Sequence, residues 1–237
     1  MQSWFRGPRA VALAGIVAMV LAGGLVAASL ATRDDEAPPE PIPVALDSSE
    51  TTRLLDGIPQ KGTVLGRPDA PVTLVEYGDL QCPYCAAWTH EAFPPLVRDY
   101  VRKGKLRIEF RGLTFIGPDS DSGLRAALAA GEQGKLWHVV DLLYHNQGHE
   151  NSGWLSDDTL RQVGTSVEGL DVERMFARRD AMTEHVDAAQ AAANASGIDG
   201  TPAFEVGPTG GPLTRVQISS LDADALRPAI ESALARR

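Results

Sequence analysis

The chain has 237 residues, with 22 Lys and Arg against 31 Asp and Glu, a net charge of −9 at neutral pH. That acidity argues against nucleic acid, whose phosphates need a basic surface, and against anionic lipid headgroups. The length suits one domain with an insertion, large enough to build an apolar core without the help of a metal.

Residues 1–9 carry Arg6 and Arg9 and no acid, and residues 10–31 then run without a charge or a proline. At ~1.5 Å per residue such a stretch covers about 33 Å, enough for a bilayer core of ~30 Å. Basic residues before the span and acids such as Asp34 and Glu36 after it place the N-terminus in the cytoplasm and the remainder outside. A cleaved signal peptide is the alternative, with Ala27, Ser29 and Ala31 as the small residues of a cleavage site. Signal peptides usually have a shorter apolar core, of about 7–15 residues, so an uncleaved transmembrane anchor over 10–31 is the expectation. No cysteine lies near the end of the span to carry a lipid. Residues 32–60 are rich in proline and acid and show no periodic apolar pattern, which predicts a semi-extended tether.

The folded part is expected over 61–237. Residues 72–77 form an apolar, β-branched run that reads as a strand buried on both faces of a parallel sheet. Cys82-Pro83-Tyr84-Cys85 follows, and after it Ala86, Phe93, Leu96, Val97, Tyr100 and Val101 keep the rhythm of one buried helix face as far as Lys103 and Gly104. Pro83 suits a first helical position. Leu106, Ile108 and Phe110 alternate with Arg107, Glu109 and Arg111, a period-two strand, so strand, helix and strand make a right-handed βαβ unit. Helical texture occupies 118–194, with helices over 124–130, 136–145, 158–163, 172–178 and 182–194, and with Ser122, Ser156 and Asp171 as N-caps for three of them. A block of that length is an inserted helical subdomain, not a loop. A strand over 203–206, a glycine- and proline-rich turn and a strand over 215–218 predict an antiparallel hairpin. A last helix over 222–235 packs Leu226, Ile230 and Leu234 inward, with Pro228 placed to kink it.

The two cysteines of the chain stand in C-x-x-C spacing at the start of a helix. Free N–H groups and the positive end of the helix dipole favour a thiolate at Cys82, whereas Cys85, one turn in, is the more buried partner. A purely structural disulfide over so short a loop would constrain the unfolded chain little. A Cys2His2 zinc site completed by His145 and His149 is the sharper rival, although 59 residues separate Cys85 from His145. Redox chemistry is the favoured reading, with Cys82 as nucleophile and Cys85 as its resolving partner. His90 reads as a helix-surface histidine, and Trp88, Trp137 and Trp154 as packing residues.

Three stretches carry a resemblance. Residues 66–77 lead into the C-x-x-C, Ala130-Gly131-Glu132-Gln133-Gly134-Lys135-Leu136-Trp137 follows, and Gly200-Thr201-Pro202-Ala203-Phe204 comes last. In this order the chain resembles the DsbA-type thiol:disulfide oxidoreductases of bacteria over roughly residues 61–236. The resemblance implies an α/β thioredoxin-like fold with a helical insertion, behind the N-terminal transmembrane helix. It implies a cis-proline at Pro202 that turns the Thr201 backbone toward the cysteines, so that Thr201, with Pro83 and Tyr84, meets an extended substrate. It also implies a buried acid at Glu76 that relays the Cys85 proton. Tyr84 departs from the Pro-His dipeptide of strongly oxidising members and adds no positive charge. The expected function is to introduce disulfides into exported proteins, as a monomer with no bound cofactor and no metal. Electrons would pass to a membrane quinone-linked oxidase of the DsbB or vitamin-K-epoxide-reductase kind. A reductase or isomerase is the alternative of the same chemistry; a redox-inert chaperone or adaptor, or a zinc protein, is the alternative of another class.

Overall fold

A computed structural model of the protein describes residues 46–236. The anchor expected over 10–31 lies outside the described residues, as does the tether as far as residue 45. Among the described residues no helix is long and apolar enough to cross a membrane.

The sheet has six strands in the order β1-β2-β4-β3-β5-β6: β1 Gln60–Lys61, β2 Val64–Leu65, β3 Val72–Gly78, β4 Leu106–Gly112, β5 Ala203–Pro208 and β6 Thr214–Val216. β3 is central and buried at all seven positions, as its unbroken apolar run requires. It runs parallel to β4, with Val72 opposite Leu106 and Gly78 opposite Gly112, and antiparallel to β5, with Glu76 opposite Phe204. The expected βαβ unit and the β5–β6 hairpin are both present. On β4 the alternation sends Leu106, Ile108 and Phe110 into the core and leaves Arg107, Glu109 and Arg111 half-buried on the other face.

The helices are α1 Ser49–Leu55, α2 Pro83–Glu91, α3 Phe93–Leu96, α4 Pro118–Gly131, α5 Leu136–His145, α6 Asp157–Thr165, α7 Val172–Arg178, α8 Thr183–Ala195 and α9 Arg227–Ala235. The insertion, α4 to α8, occupies the expected stretch between β4 and β5. An aromatic chain joins the two parts of the core. Trp88 lies 5.2 Å from Phe204 between ring centroids, and Phe93 stacks on Trp137 at 5.0 Å. Trp88 and Trp137 are buried and Trp154 is half-buried against the same core, so all three are packing residues.

Four expectations are corrected. The tether stops short of residue 60, because Ser49–Leu55 is a helix whose Leu55 and Thr51 are buried. Arg102 donates to the carbonyls of Arg53 and Leu54 at 3.0 and 2.9 Å and closes its last turn. The helix after Cys85 is not continuous. Pro94 and Pro95 lack the N–H groups that would continue α2, so it breaks at Ala92 into α3 and a π-helical turn, Val97–Val101. All six apolar positions of the predicted face are nevertheless buried. Ser122 is not a cap: α4 starts earlier, at Pro118, with Asp119 and Asp121 in its first turn. Ser156 and Asp171 do cap, accepting from the amides of Thr159 and Arg174. Finally, Pro228 does not kink a long helix. It sits in the first turn of α9, after a separate 3-10 turn, Ala223–Ala225, capped by Asp222.

Candidate active site

Cys82 is the N-cap residue of α2, extended at φ −75° and ψ 118°, and Pro83 stands in the first turn. Its amide donates to the Asp79 carbonyl at 2.9 Å, and its own carbonyl accepts from Cys85 and Ala86 as the helix begins. The local sequence thus sets the sulfur at the dipole's positive end. Both cysteines are free thiols and both are buried, Cys82 at 5% exposure and Cys85 at 0%. The Cys82 thiol lies 3.3 Å from the Thr201 carbonyl oxygen, to which it donates, and the Thr201–Pro202 peptide bond is cis.

The two thiols are driven in opposite directions. Hydrogen bonding from the Cys85 thiol outweighs burial at Cys82. Further help comes from the Thr201 side chain and from the amides of Cys85 and Tyr84, and the Cys82 pKa falls to about 6. Burial, the bond to Cys82 and the charges of Cys82 and Glu76 push the Cys85 thiol well above the ordinary range. Glu76 is fully buried, and burial, then the Cys82 charge, pushes its carboxyl well above the usual carboxylate range. Among the described residues neither of its oxygens has a hydrogen-bond partner. The arrangement supplies a thiolate nucleophile and a protonated resolving thiol, the pair that thiol–disulfide exchange uses, beside a buried carboxyl group whose ionisation is disfavoured.

All the site residues expected from the sequence come together here. Pro83 is exposed and Tyr84 is 65% exposed, both beside Cys82, while Thr201 and Pro202 are half-buried. The zinc alternative does not assemble, since among the described residues no three His, Cys, Asp or Glu side chains converge on a metal position. His145 instead stacks on His90, 4.5 Å between ring centroids, and bonds through Nδ1 to the Asp141 carbonyl at 2.9 Å.

The insertion also holds the turn between β3 and α2, a feature that sequence reasoning missed. Asp79 Oδ1 accepts from the Gln81 amide at 2.9 Å and from Ser120 at 2.6 Å, and its Oδ2 accepts from the Ile116 amide at 3.0 Å. Gln81 Oε1 accepts from the Asn151 amide at 2.7 Å. Gln147 donates to the carbonyls of Leu80 and Cys82. Asp79 and Gln81 stand directly before the C-x-x-C and Gln147 between His145 and His149, so the residues were visible but their pairing was not. Phe115, 41% exposed, precedes the Ile116 that bonds Asp79 and adds an aromatic surface near the site.

A thioredoxin-fold protein with a helical insertion and a buried, asymmetric dithiol at a helix N-terminus defines the class. The sequence model described as thioredoxin matches residues 59–215, and the chain belongs to that family. It is 31% identical over 125 residues to disulfide bond formation protein D of Bacillus subtilis, covering 51% of this chain and 55% of that one. The chain spans about half the length of the curated Bacillus relatives that it matches. Among solved structures it is similar to oxidised BdbD from Bacillus subtilis, with a TM-score of 0.63 at 24% identity over 75% of this chain and 98% of that one. It is similar also to a thioredoxin-like oxidoreductase from Silicibacter pomeroyi, with a TM-score of 0.56 at 29% identity over 72% and 90%.

Proposed function

We propose that this protein is a thiol:disulfide oxidoreductase that introduces disulfide bonds into exported proteins from a Cys-Pro-Tyr-Cys site held outside the cytoplasm by the 10–31 segment. The observation that carries the reading is the Cys82 thiol, with a pKa of about 6, set against a buried Cys85 and the Thr201 carbonyl. A substrate thiolate attacks Cys82 of the disulfide form. A new S–S bond forms, the Cys82–Cys85 bond breaks, and its electron pair leaves on Cys85, which takes a proton from Glu76. A second substrate thiolate then attacks the substrate sulfur of the mixed disulfide and Cys82 departs as a thiolate, leaving a substrate disulfide and a reduced protein. A low Cys82 pKa favours that departure and stabilises the reduced form, which makes the disulfide the better oxidant.

Exported proteins with free thiols are the partners on one side. Thr201 offers its backbone to an extended substrate chain, and exposed Pro83, Tyr84 and Phe115 offer it an apolar surface. On the other side a membrane thiol oxidase, quinone-linked and of the DsbB or vitamin-K-epoxide-reductase kind, takes the electrons from Cys82 and Cys85. No bound cofactor or metal takes part in the exchange, and the protein works as a monomer. The name carried by the Bacillus relative supports the oxidising direction.

The test is trapping together with a potential. Cys85→Ser should accumulate mixed disulfides with exported proteins through Cys82, and Cys82→Ser should accumulate far fewer. Equilibration of the wild type with glutathione should give a potential more oxidising than the glutathione couple. A potential well below glutathione would instead assign the chain as a reductase.

A further inference from the structure

Tyr144 belongs to the helical insertion, at the end of α5, yet its hydroxyl reaches the buried side of the dithiol. It donates to the Asp79 carbonyl at 3.2 Å, the same oxygen that accepts the Cys82 amide at 2.9 Å. A carbon placed on Gly78 would lie 2.9 Å from Tyr144 Oη, 3.1 Å from Glu76 Oε1 and 2.9 Å from a ring carbon of Phe110. The bare Cα of Gly78 is therefore where the phenol, the carboxyl group and the Phe110 ring meet, with no side chain between them. The two oxygens thus face the same bare Cα, and neither oxygen of Glu76 has a hydrogen-bond partner among the described residues.

The surroundings leave few other groups to serve Glu76. The strand residues opposite it are Phe110 and Phe204, both apolar. The titratable groups acting on Tyr144 are Cys85, Glu76, Asp79 and Cys82, and the charge acting on Glu76 is that of Cys82. Burial pushes both Tyr144 and Glu76 up, so loss of a proton from either is disfavoured. Once Glu76 gives its proton to Cys85 it becomes a buried carboxylate without a donor, which an apolar pocket tolerates poorly.

We propose that Tyr144 is a positioning residue for the proton that accompanies exchange: its hydroxyl turns from the Asp79 carbonyl to the Glu76 carboxylate, across Gly78, when that carboxylate forms. A phenol has one proton to donate and a rotor that can aim it either way. In the forward step the proton moves from Glu76 to the Cys85 thiolate and the Tyr144 proton stays on its own oxygen, now shared with the carboxylate. In the reverse step Glu76 takes the Cys85 proton as Cys85 attacks the mixed disulfide, and Tyr144 returns to Asp79. The helical insertion thereby contributes to the chemistry and not only to the enclosure of the site. This inference rests on the role given to Glu76 above.

The experiment follows the rate at which Cys85 resolves a mixed disulfide between Cys82 and glutathione, as a function of pH. It uses the wild type, Tyr144→Phe, Glu76→Gln and the double variant, with thermal melts to establish that each is folded. Tyr144→Phe keeps the ring and removes the donor, so the Glu76 limb of the profile should move to higher pH. Rates on that limb should fall about 3- to 10-fold, the effect of one net hydrogen bond. In the Glu76→Gln background the limb should be absent and Tyr144→Phe should shift nothing. A fluorinated tyrosine at position 144, of nearly the same shape and more acidic, should move the limb to lower pH, and it serves if the phenylalanine variant does not fold. Superimposable wild-type and Tyr144→Phe profiles would overturn the proposal. So would equal slowing at every pH in both backgrounds, which would assign Tyr144 to the Asp79 carbonyl alone. A limb that survives in Glu76→Gln would instead sink the Glu76 reading, and the two failures are told apart by that single variant.

Discussion

Gln147 Nε2 donates to the Cys82 carbonyl oxygen at 3.1 Å while also donating to that of Leu80 at 2.8 Å. A residue of the insertion thus fixes the first carbonyl of α2 from outside the thioredoxin-like part, and with it the direction in which the sulfur's helix begins. Gln147→Leu keeps the bulk and removes both donors. We expect a loss of about 1–2 kcal/mol, read as a melting temperature lower by ~3–6 °C in a domain of this size. Amide hydrogen exchange at Cys85 and Ala86 should quicken. An unchanged exchange rate at those two amides would show that the turn holds itself.

Thr51 on α1 donates its hydroxyl to Asp141 Oδ2, and Asp141 is almost wholly buried. The other carboxyl oxygen has no partner among the described residues, and His145 Nδ1 is 3.6 Å from the bonded one. Thr51→Val is close to isosteric and leaves the carboxyl group without its nearest donor, so chemical denaturation should show a loss of about 1–3 kcal/mol. Thr51→Ser should recover most of it. Equal stability of the valine and serine variants would mean that α1 is held by Leu55 and Arg102 alone.

Those two contacts mark where the sequence stops being informative. α1 has seven residues, below the length at which a helix is stable by itself, and it follows a run of prolines. It exists because Asp141 and Arg102, distant in sequence, supply partners for it. β1 and β2 are two residues each and cannot display a period. By contrast β3, α5 and α7 carry their signal within their own span, and α5 and α7 begin and end where their apolar pattern does. Caps divide in the same way. Ser156 and Asp171 directly precede their helices, whereas Ser122 is a cap residue type already inside one. At the site the helix-terminal cysteine pair is a local pattern and is legible. Tyr144 and Gln147 act through pairings that no spacing encodes.

The Cys82 pKa has a consequence for folding. It drops from an ordinary 9.0 to about 6, so between those values the unfolded chain holds a proton that the folded chain has released. Stability of the reduced protein should therefore rise with pH across that window, and be lost as pH falls through about 6. At ~1.4 kcal/mol per unit the ceiling is about 4 kcal/mol. Glu76 works in the opposite sense, because burial raises its pKa: its contribution is full below the unfolded carboxyl value and is lost as pH rises through the folded one. Urea denaturation in reductant, comparing wild type with Cys82→Ser at several pH values, isolates the first effect. Equal slopes in the two proteins would refute the assignment.

Tyr84 stands exposed beside Cys82, and that exposure limits what a substitution there can do. Its amide faces the Cys82 sulfur, but its side chain is 65% exposed. In Tyr84→His the imidazolium would stand in solvent, where one charge a few ångström away contributes ~0.2–1 kcal/mol. A positive charge favours the thiolate, lowers the Cys82 pKa and stabilises the reduced form, which makes the disulfide more oxidising. One pKa unit corresponds to about 30 mV for this couple, so the potential should rise by roughly 5–20 mV below the imidazole pKa and by less above it. Raising the ionic strength should reduce the difference, as screening of an exposed charge requires. Ultraviolet thiolate titration and glutathione equilibration of both proteins, at two pH values and two salt concentrations, measure it. A rise that is independent of pH and salt would mean that the histidine works through packing or a direct hydrogen bond to the sulfur, and that its charge plays no part.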